Sequence, residues 1–377
     1  MKISIITILN TANYGSVLQS FATLKFWQAL ECEVEFIDYW RADQIYETRR
    51  SNIKQRKDIS LKKKLIEPLR VSMIKHSIKK QQGVFRDFVT ENIPLTKECY
   101  FSPDDIKNNL PEADIYCPGS DQMWNSIWNN GIVPSFFLEY APSNKKKISF
   151  ATSIGMDRFS TKDEEAIPLL RKYDLITLRE ESAVNLLEEY HISSLMVPDP
   201  TLLFDSIFWQ QYITPRAEKK PYLFVYQLHT SHKNIDFNDA VYEIARKKRL
   251  KIIRFTYTGT ETRRGQKAYL PKVFELLSLV NYANHIVTDS FHITAFSINF
   301  NKPFSAIYPE KFSTRIDNIL KITNLMHRRY TNGNTNEHIF KVIKFDEANQ
   351  ILEKKRKETY DTFRNFLSLG KGTKDDT

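Results

Sequence analysis

Chemistry-bearing side chains gather in four short clusters, each directly after an apolar run. The run that ends at Thr288 is followed by Asp289, Ser290, Phe291, His292, Ile293 and Thr294. Imidazole is the side chain best matched to proton transfer near neutral pH, so acid–base work by His292 beside Asp289 is the first expectation. A serine nucleophile competes with it, but Ser290 lacks the Gly-x-Ser-x-Gly surroundings of a nucleophile elbow. A capped helix start carrying a satisfied histidine would use the same residue types.

The other clusters supply binding chemistry. Asn13, Tyr14 and Gly15 follow the first apolar run, where a tight turn and the free amides of a helix start can face an anion. Gly119, Ser120, Asp121, Gln122, Trp124 and Asn125 follow another. Amides, a carboxylate and an indole together suit a sugar's hydroxyls and its apolar face, although Ser120 or Asp121 would equally cap a helix. Arg179, after Leu178, carries a guanidinium able to grip a carboxylate or phosphate in bidentate fashion, or to pair with Glu180 or Glu181. Asp199, in the rigid turn Pro198-Asp199-Pro200, is placed to accept from hydroxyls or to cap.

These clusters need elements to hold them. Apolar runs at 2–9, 34–39, 114–118, 147–153, 174–178 and 194–198 read as strands, with a helix-like stretch from Val17 to Leu30 between the first two. A polar junction at 205–220 precedes a second block of strands at 222–228, 251–257, 285–289 and 303–308. Helical patterns lie at 236–248, 271–283, 291–299 and 314–325. Short strands with helical crossovers predict α/β domains with parallel, doubly wound sheets, which bind ligands outside the carboxyl ends of their strands. The expected division is an N-terminal domain over 1–210, a C-terminal domain over 220–340, and a charged helix over 344–366 packing back on the first. A basic helical insertion is expected over about 45–95, broken at Pro68 and Gly83, and the tail from Lys371 reads as disordered.

Composition narrows the class. A chain of 377 residues, 41% hydrophobic and 27% charged, can fill two cores. Three cysteines without metal or redox spacing point to a reducing, cytoplasmic setting, and the eight histidines show no paired metal-ligand spacing. Neither a signal peptide nor a membrane span is expected. Of the net charge of +10, the stretch from Arg49 to Arg86 holds 13 Lys/Arg against Asp58 and Glu67. That stretch is either a solvated helical face or a cradle for an anionic partner, an inner membrane face or a pyrophosphate-linked acceptor. Nucleic acid is not expected, because no recognition motif or run of stacking aromatics accompanies the charge.

Five segments in order, NTANYGSVLQSFA, PGSDQMWN, LREES, VPDPTLL and FELLSLVNYANHIVTDSFHITAFSINFNKPF, resemble the polysaccharide pyruvyl transferase family over residues 1–325. The resemblance implies two Rossmann-like domains facing across a cleft, as in GT-B glycosyltransferases. It implies transfer of a pyruvyl group from phosphoenolpyruvate to sugar hydroxyls, making a ketal on a surface-polysaccharide unit, with no cofactor beyond the donor. It further implies that His292 does acid–base work or contacts phosphate, that Arg179 holds the donor's anion, and that Asn13, Tyr14, Gly15, Asp121 and Gln122 line the first-domain side. Asp199, Ser290 and Thr294 are further binding candidates, and Arg315 a further anion candidate. The acceptor would be a sugar or lipid-linked oligosaccharide. One departure stands out: Ile293 occupies a position where the family commonly has glycine, and no β-branched residue replaces a glycine that needs positive φ. A nucleotide-sugar GT-B glycosyltransferase and a catalytically silent glycan-binding scaffold are the alternatives.

Overall fold

The computed structural model describes residues 1–41, 75–215, 218–232, 235–256, 266–310, 313–331 and 337–369. The basic stretch up to residue 74 and the tail from Lys371 lie outside the described residues. The chain divides into two compact units, one of 1–178 with 185–195, the other of 179–184 with 196–377.

The first unit carries a five-stranded sheet in the order β3-β2-β1-β4-β5, all neighbours parallel. Its strands are β1 (Lys2–Ile6), β2 (Glu33–Tyr39), β3 (Leu95–Tyr100), β4 (Ile115–Pro118) and β5 (Lys146–Lys147). Central strands β1 and β4 are buried almost throughout, so that even Ser4 of β1 lies inside the fold. Helix α1 (Tyr14–Ala29) starts at an Asn13 cap whose side chain accepts from the Gly15 N–H at 2.9 Å. Helix α2 (Lys75–Asn92) runs through Gly83 without a break. A single helical glycine costs only about 1 kcal/mol, and packing outweighs it: Phe85 meets Tyr14 and Phe88 meets Phe21, with ring centroids 4.7 and 6.0 Å apart. Two-residue strands β6 (Thr177–Leu178) and β7 (Leu195–Met196) form a small ladder. The expected strand 147–153 shrinks to β5 and single bridges, Ile148 to Leu175 and Thr152 to Leu178.

The second unit repeats the plan. Its parallel sheet runs β10-β9-β8-β11-β12, built from β8 (Tyr222–Tyr226), β9 (Lys251–Phe255), β10 (Gln266–Tyr269), β11 (His285–Thr288) and β12 (Phe304–Ala306). Helices α3 (Phe237–Lys248), α4 (Val273–Asn281), α5 (Phe291–Asn299), α6 (Thr314–Ile322) and α7 (Asp346–Leu369) accompany it. Both sheets have the Rossmann-like 3-2-1-4-5 order. Among the described residues no helix is long and apolar enough to cross a membrane.

The division differs from the expected boundary near 210. Residues 196–210 belong to the second unit because its helices hold them. The Asn299 amide donates to the Phe204 carbonyl at 2.8 Å, the Trp209 ring lies 5.0 Å from that of Phe296, and Arg356 of α7 donates to the Leu202 carbonyl at 2.8 Å. The same bond ties the C-terminal helix to the second unit, of which it is a part.

Candidate functional site

In each sheet the strand order reverses once, between β1 and β4 in the first unit and between β8 and β11 in the second. Ligands of such sheets bind beyond the strand ends at that switch point. The two largest sequence clusters of the first unit and the His292 cluster of the second follow these strands.

In the second unit Ser290 caps α5, its hydroxyl accepting from the Ile293 N–H at 3.5 Å, and Thr294 returns its hydroxyl to the Ser290 carbonyl at 2.9 Å. Ser290 and Thr294 are buried and serve the helix start. Ile293 is helical, buried and outside the left-handed region, so this position requires no glycine φ. His292, the residue before it, places Nε2 3.6 Å from Asp199 Oδ2. That oxygen also accepts from Arg179 Nη1 at 2.8 Å, while Asp199 Oδ1 accepts from the Thr201 N–H and hydroxyl at 3.0 and 2.7 Å. Burial opposes the charge on Asp199, but His292, Arg179 and Thr201 outweigh it and hold the carboxyl far below the usual carboxylate range.

Exposure separates the three roles. The Asp199 and Arg179 side chains are 0% and 1% exposed, that of His292 10%. Arg179 also lies 3.7 Å from Glu180. Its charge is therefore committed to carboxylates, and His292 is the least enclosed of the three. The Phe291 ring has the Arg179 guanidinium 5.2 Å from its centre and the half-buried Arg315 guanidinium at 5.8 Å. A pocket opens here, lined by the polar Arg179, Asp199 and Asn318 and by the apolar Leu202, Phe291 and Leu352.

Asp289 turns elsewhere. Its Oδ1 accepts from the Leu228 N–H at 2.7 Å, and its Oδ2 meets the His229 N–H at 2.8 Å and His232 Nε2 at 2.9 Å. With its side chain sealed from solvent, Asp289 is a clasp for the loop after β8, rather than the partner of His292. His229 and His232 escaped the sequence analysis, although their place directly after an apolar strand is the same signal that marked the other clusters.

In the first unit the clusters after β1 and β4 are joined by a hydrogen bond from the Ser16 hydroxyl to Asp121 Oδ2. Asp121 Oδ1 accepts from the Gln122 N–H at 2.8 Å. Gly119 has no room for a side chain, since a Cβ would lie 2.7 Å from Thr7 Oγ1 and 2.8 Å from Thr7 Cβ. Gln122 and Asn125 bond to each other at 2.8 Å, and Asn125 caps the next short helix. Ser120 and Tyr14 are buried, whereas Asn13 is half-buried. Trp124 is a core residue and not a sugar platform: its Nε1 donates to the Phe136 carbonyl at 2.9 Å and its ring stacks on Phe137 at 5.6 Å. The sequence also hid a buttress of the first loop. Arg86 reaches both oxygens of Asp38, at 3.0 and 2.7 Å, and Asn10 Oδ1 at 3.0 Å. Burial opposes the charge of Asp38, but Arg86, Asn10 and Cys99 hold its carboxyl below the ordinary range.

Among solved structures, the chain is similar to a putative UDP-N-acetylglucosamine 2-epimerase from Listeria monocytogenes. The identity is 11%, the match covers 97% of this chain and 90% of that one, and the TM-score is 0.46. It is similar to the Methanocaldococcus jannaschii UDP-GlcNAc 2-epimerase in complex with UDP-GlcNAc and UDP at 13% identity, 94% of both chains and a TM-score of 0.49. The Neisseria meningitidis enzyme bound to UDP-GlcNAc matches at 11% identity over 97% of this chain and 94% of that one, with a TM-score of 0.47. No curated protein matches the sequence. The profile described as polysaccharide pyruvyl transferase matches residues 13–311, a span that takes in Asn13, Asp121, Arg179, Asp199 and His292 alike. On that coverage, the chain belongs to the polysaccharide pyruvyl transferase family.

Proposed function

We propose that the chain moves a pyruvyl group from phosphoenolpyruvate to two hydroxyls of a sugar in a surface-polysaccharide precursor, closing a ketal and releasing phosphate. The observation that carries this is the Asp199–His292 arrangement: a buried carboxylate, held ionised, 3.6 Å from the imidazole of the least enclosed residue of the group. The chemistry needs a proton on the donor's methylene carbon C3, positive charge against its phosphate and carboxylate, and removal of hydroxyl protons. His292, backed by Asp199, is the proton donor to C3. Arg315, beside Phe291, faces the donor's anionic groups. Arg179 holds Asp199 in place and acts through it. As C3 takes the proton, C2 gains a sugar oxygen; loss of phosphate from C2 then admits the second hydroxyl. Of the two hydroxyl protons, one replaces that given to C3 and the other leaves with the phosphate.

The test is incubation of the pure protein with phosphoenolpyruvate and a panel of aryl galactosides and lipid-linked sugars. Phosphate release matched by a carboxyethylidene mass gain on the acceptor is expected. Neither product across the panel overturns the proposal, and turnover of a nucleotide sugar instead would favour a glycosyltransferase.

A further inference from the structure

The loop after β8 is fastened at both ends. Asp289 clasps its start through the Leu228 and His229 N–H groups and its far side through His232. Beyond that, the Glu310 N–H donates to the Ser231 carbonyl at 3.1 Å, and His232 bridges Pro309. Gln227 adds a bond from its amide to the His229 carbonyl at 2.9 Å, and its own oxygen accepts from Arg254 Nη1 at 2.9 Å. A backbone held at so many points fixes where the intervening side chains stand. His232 is consumed by the clasp, and its side chain is 2% exposed. His229 stays half-buried three residues beyond β8, its N–H on Asp289 at the end of β11 and hence at the switch point of the sheet.

From this placement we infer that His229 is a second catalytic histidine, the base that removes the proton of the attacking sugar hydroxyl. The inference rests on the pyruvyl-transfer proposal. In the step concerned, the hydroxyl oxygen bonds to C2 of the donor, its O–H pair staying on oxygen while the proton passes to the His229 imidazole. The C2–C3 π pair takes the proton of His292. Imidazolium and imidazole exchange roles, and the proton held by His229 returns to the medium or departs with phosphate.

A base must be neutral at working pH, and the surroundings favour that state. Among the described residues, the titratable and charged groups that face His229 are Asp289 from the end of β11, Arg315 from α6, and His232 from its own loop. Burial pushes the imidazole below its ordinary range; Asp289 opposes it, and Arg315 and His232 add smaller pushes in the same direction as burial. A cation beside a base also serves the donor, since Arg315 would place the phosphoenolpyruvate anion next to the imidazole that deprotonates the nucleophile.

The experiment compares the wild-type chain with His229→Gln for phosphate release from phosphoenolpyruvate and an accepted galactoside, between pH 5 and 9. Removal of a general base is expected to lower kcat by about 10²–10⁴-fold, to leave KM for phosphoenolpyruvate within about threefold, and to abolish the acid limb of kcat/KM. Thermal unfolding of the variant within a few degrees of wild type would locate the loss in chemistry. An active wild type beside a His229→Gln protein of equal kcat and unchanged acid limb overturns the base assignment alone. A wild type inactive on every acceptor overturns it together with the proposed function. A variant with normal kcat but a tenfold higher KM makes His229 a donor contact and likewise overturns its role as base.

Discussion

Arg179 Nη1 stands 2.8 Å from Asp199 Oδ2, with both side chains closed to solvent. Removing one member of such a pair strands the other charge, which costs about 3–5 kcal/mol. Arg179→Met is therefore expected to lower the urea midpoint sharply. The double variant Arg179→Met with Asp199→Asn should regain part of the loss, because the charge at 199 is then gone, while Glu180 still loses its guanidinium neighbour. A double variant less stable than Arg179→Met would show that the pair is not coupled in this way.

Arg315 carries a different load. Its guanidinium lies 5.8 Å from the centre of the Phe291 ring and is half-buried, so its loss should cost the fold less than that of the sealed Arg179. A lost charge-assisted hydrogen bond is worth about 1.5–3 kcal/mol. Arg315→Met is expected to raise KM for phosphoenolpyruvate roughly 10–100-fold while the urea midpoint stays close to wild type. Equal KM values in the two proteins would remove Arg315 from the donor site.

The switch-point clusters were legible in the sequence because polar residues gather there directly after mainly apolar strands, although several of them prove to serve helix starts and loop clasps. The central strands β1, β4, β8 and β11 were legible too, since burial on both faces leaves them mainly apolar despite Ser4, His285 and Thr288. Edge strands β3 and β10 were not: Lys97, Glu98 and Cys99 are exposed along β3, and Gln266 and Lys267 begin β10. Side-chain partnership was the harder matter. Asp289 and His292 are three positions apart, yet the turn into α5 at Ser290 sends one carboxylate to the loop after β8 and one imidazole to Asp199. Asp199 itself comes from a turn far away in sequence, and no local pattern pairs it with His292. Trp124 misled for a related reason, because an indole among amides serves equally as a sugar platform and as a hydrogen-bonded core residue.

Gly119 tests the packing that holds the first unit's two clusters together. A methyl group there meets Thr7 Oγ1 at 2.7 Å and Thr7 Cβ at 2.8 Å, below any ordinary carbon contact. Overpacking of this kind costs about 1–3 kcal/mol. Gly119→Ala should lower the thermal midpoint by several degrees. Adding Thr7→Ala removes the hydroxyl and leaves the Cβ, so it should restore only part of the loss. Full stability in Gly119→Ala alone would mean that β1 and β4 yield more readily than their burial implies.

His285 sets an acid limit on stability. It lies at the start of β11, wholly buried, with Nε2 2.8 Å from the Ser305 hydroxyl. Burial, together with the charges of Lys248 and Arg328, drives its imidazole well below the ordinary range. Above about pH 6.5, the ordinary histidine value, it is neutral in the folded and unfolded chains alike and has no effect on the pH slope. Below that value the unfolded chain binds a proton that the folded chain refuses, so stability falls as the pH falls, and keeps falling until the depressed folded pKa is reached. Urea midpoints measured from pH 8 to pH 5 should therefore drop more steeply below pH 6.5 for the wild type than for His285→Gln, whose amide can still meet Ser305 and does not titrate. Parallel curves for the two proteins would show that His285 takes up its proton inside the folded sheet.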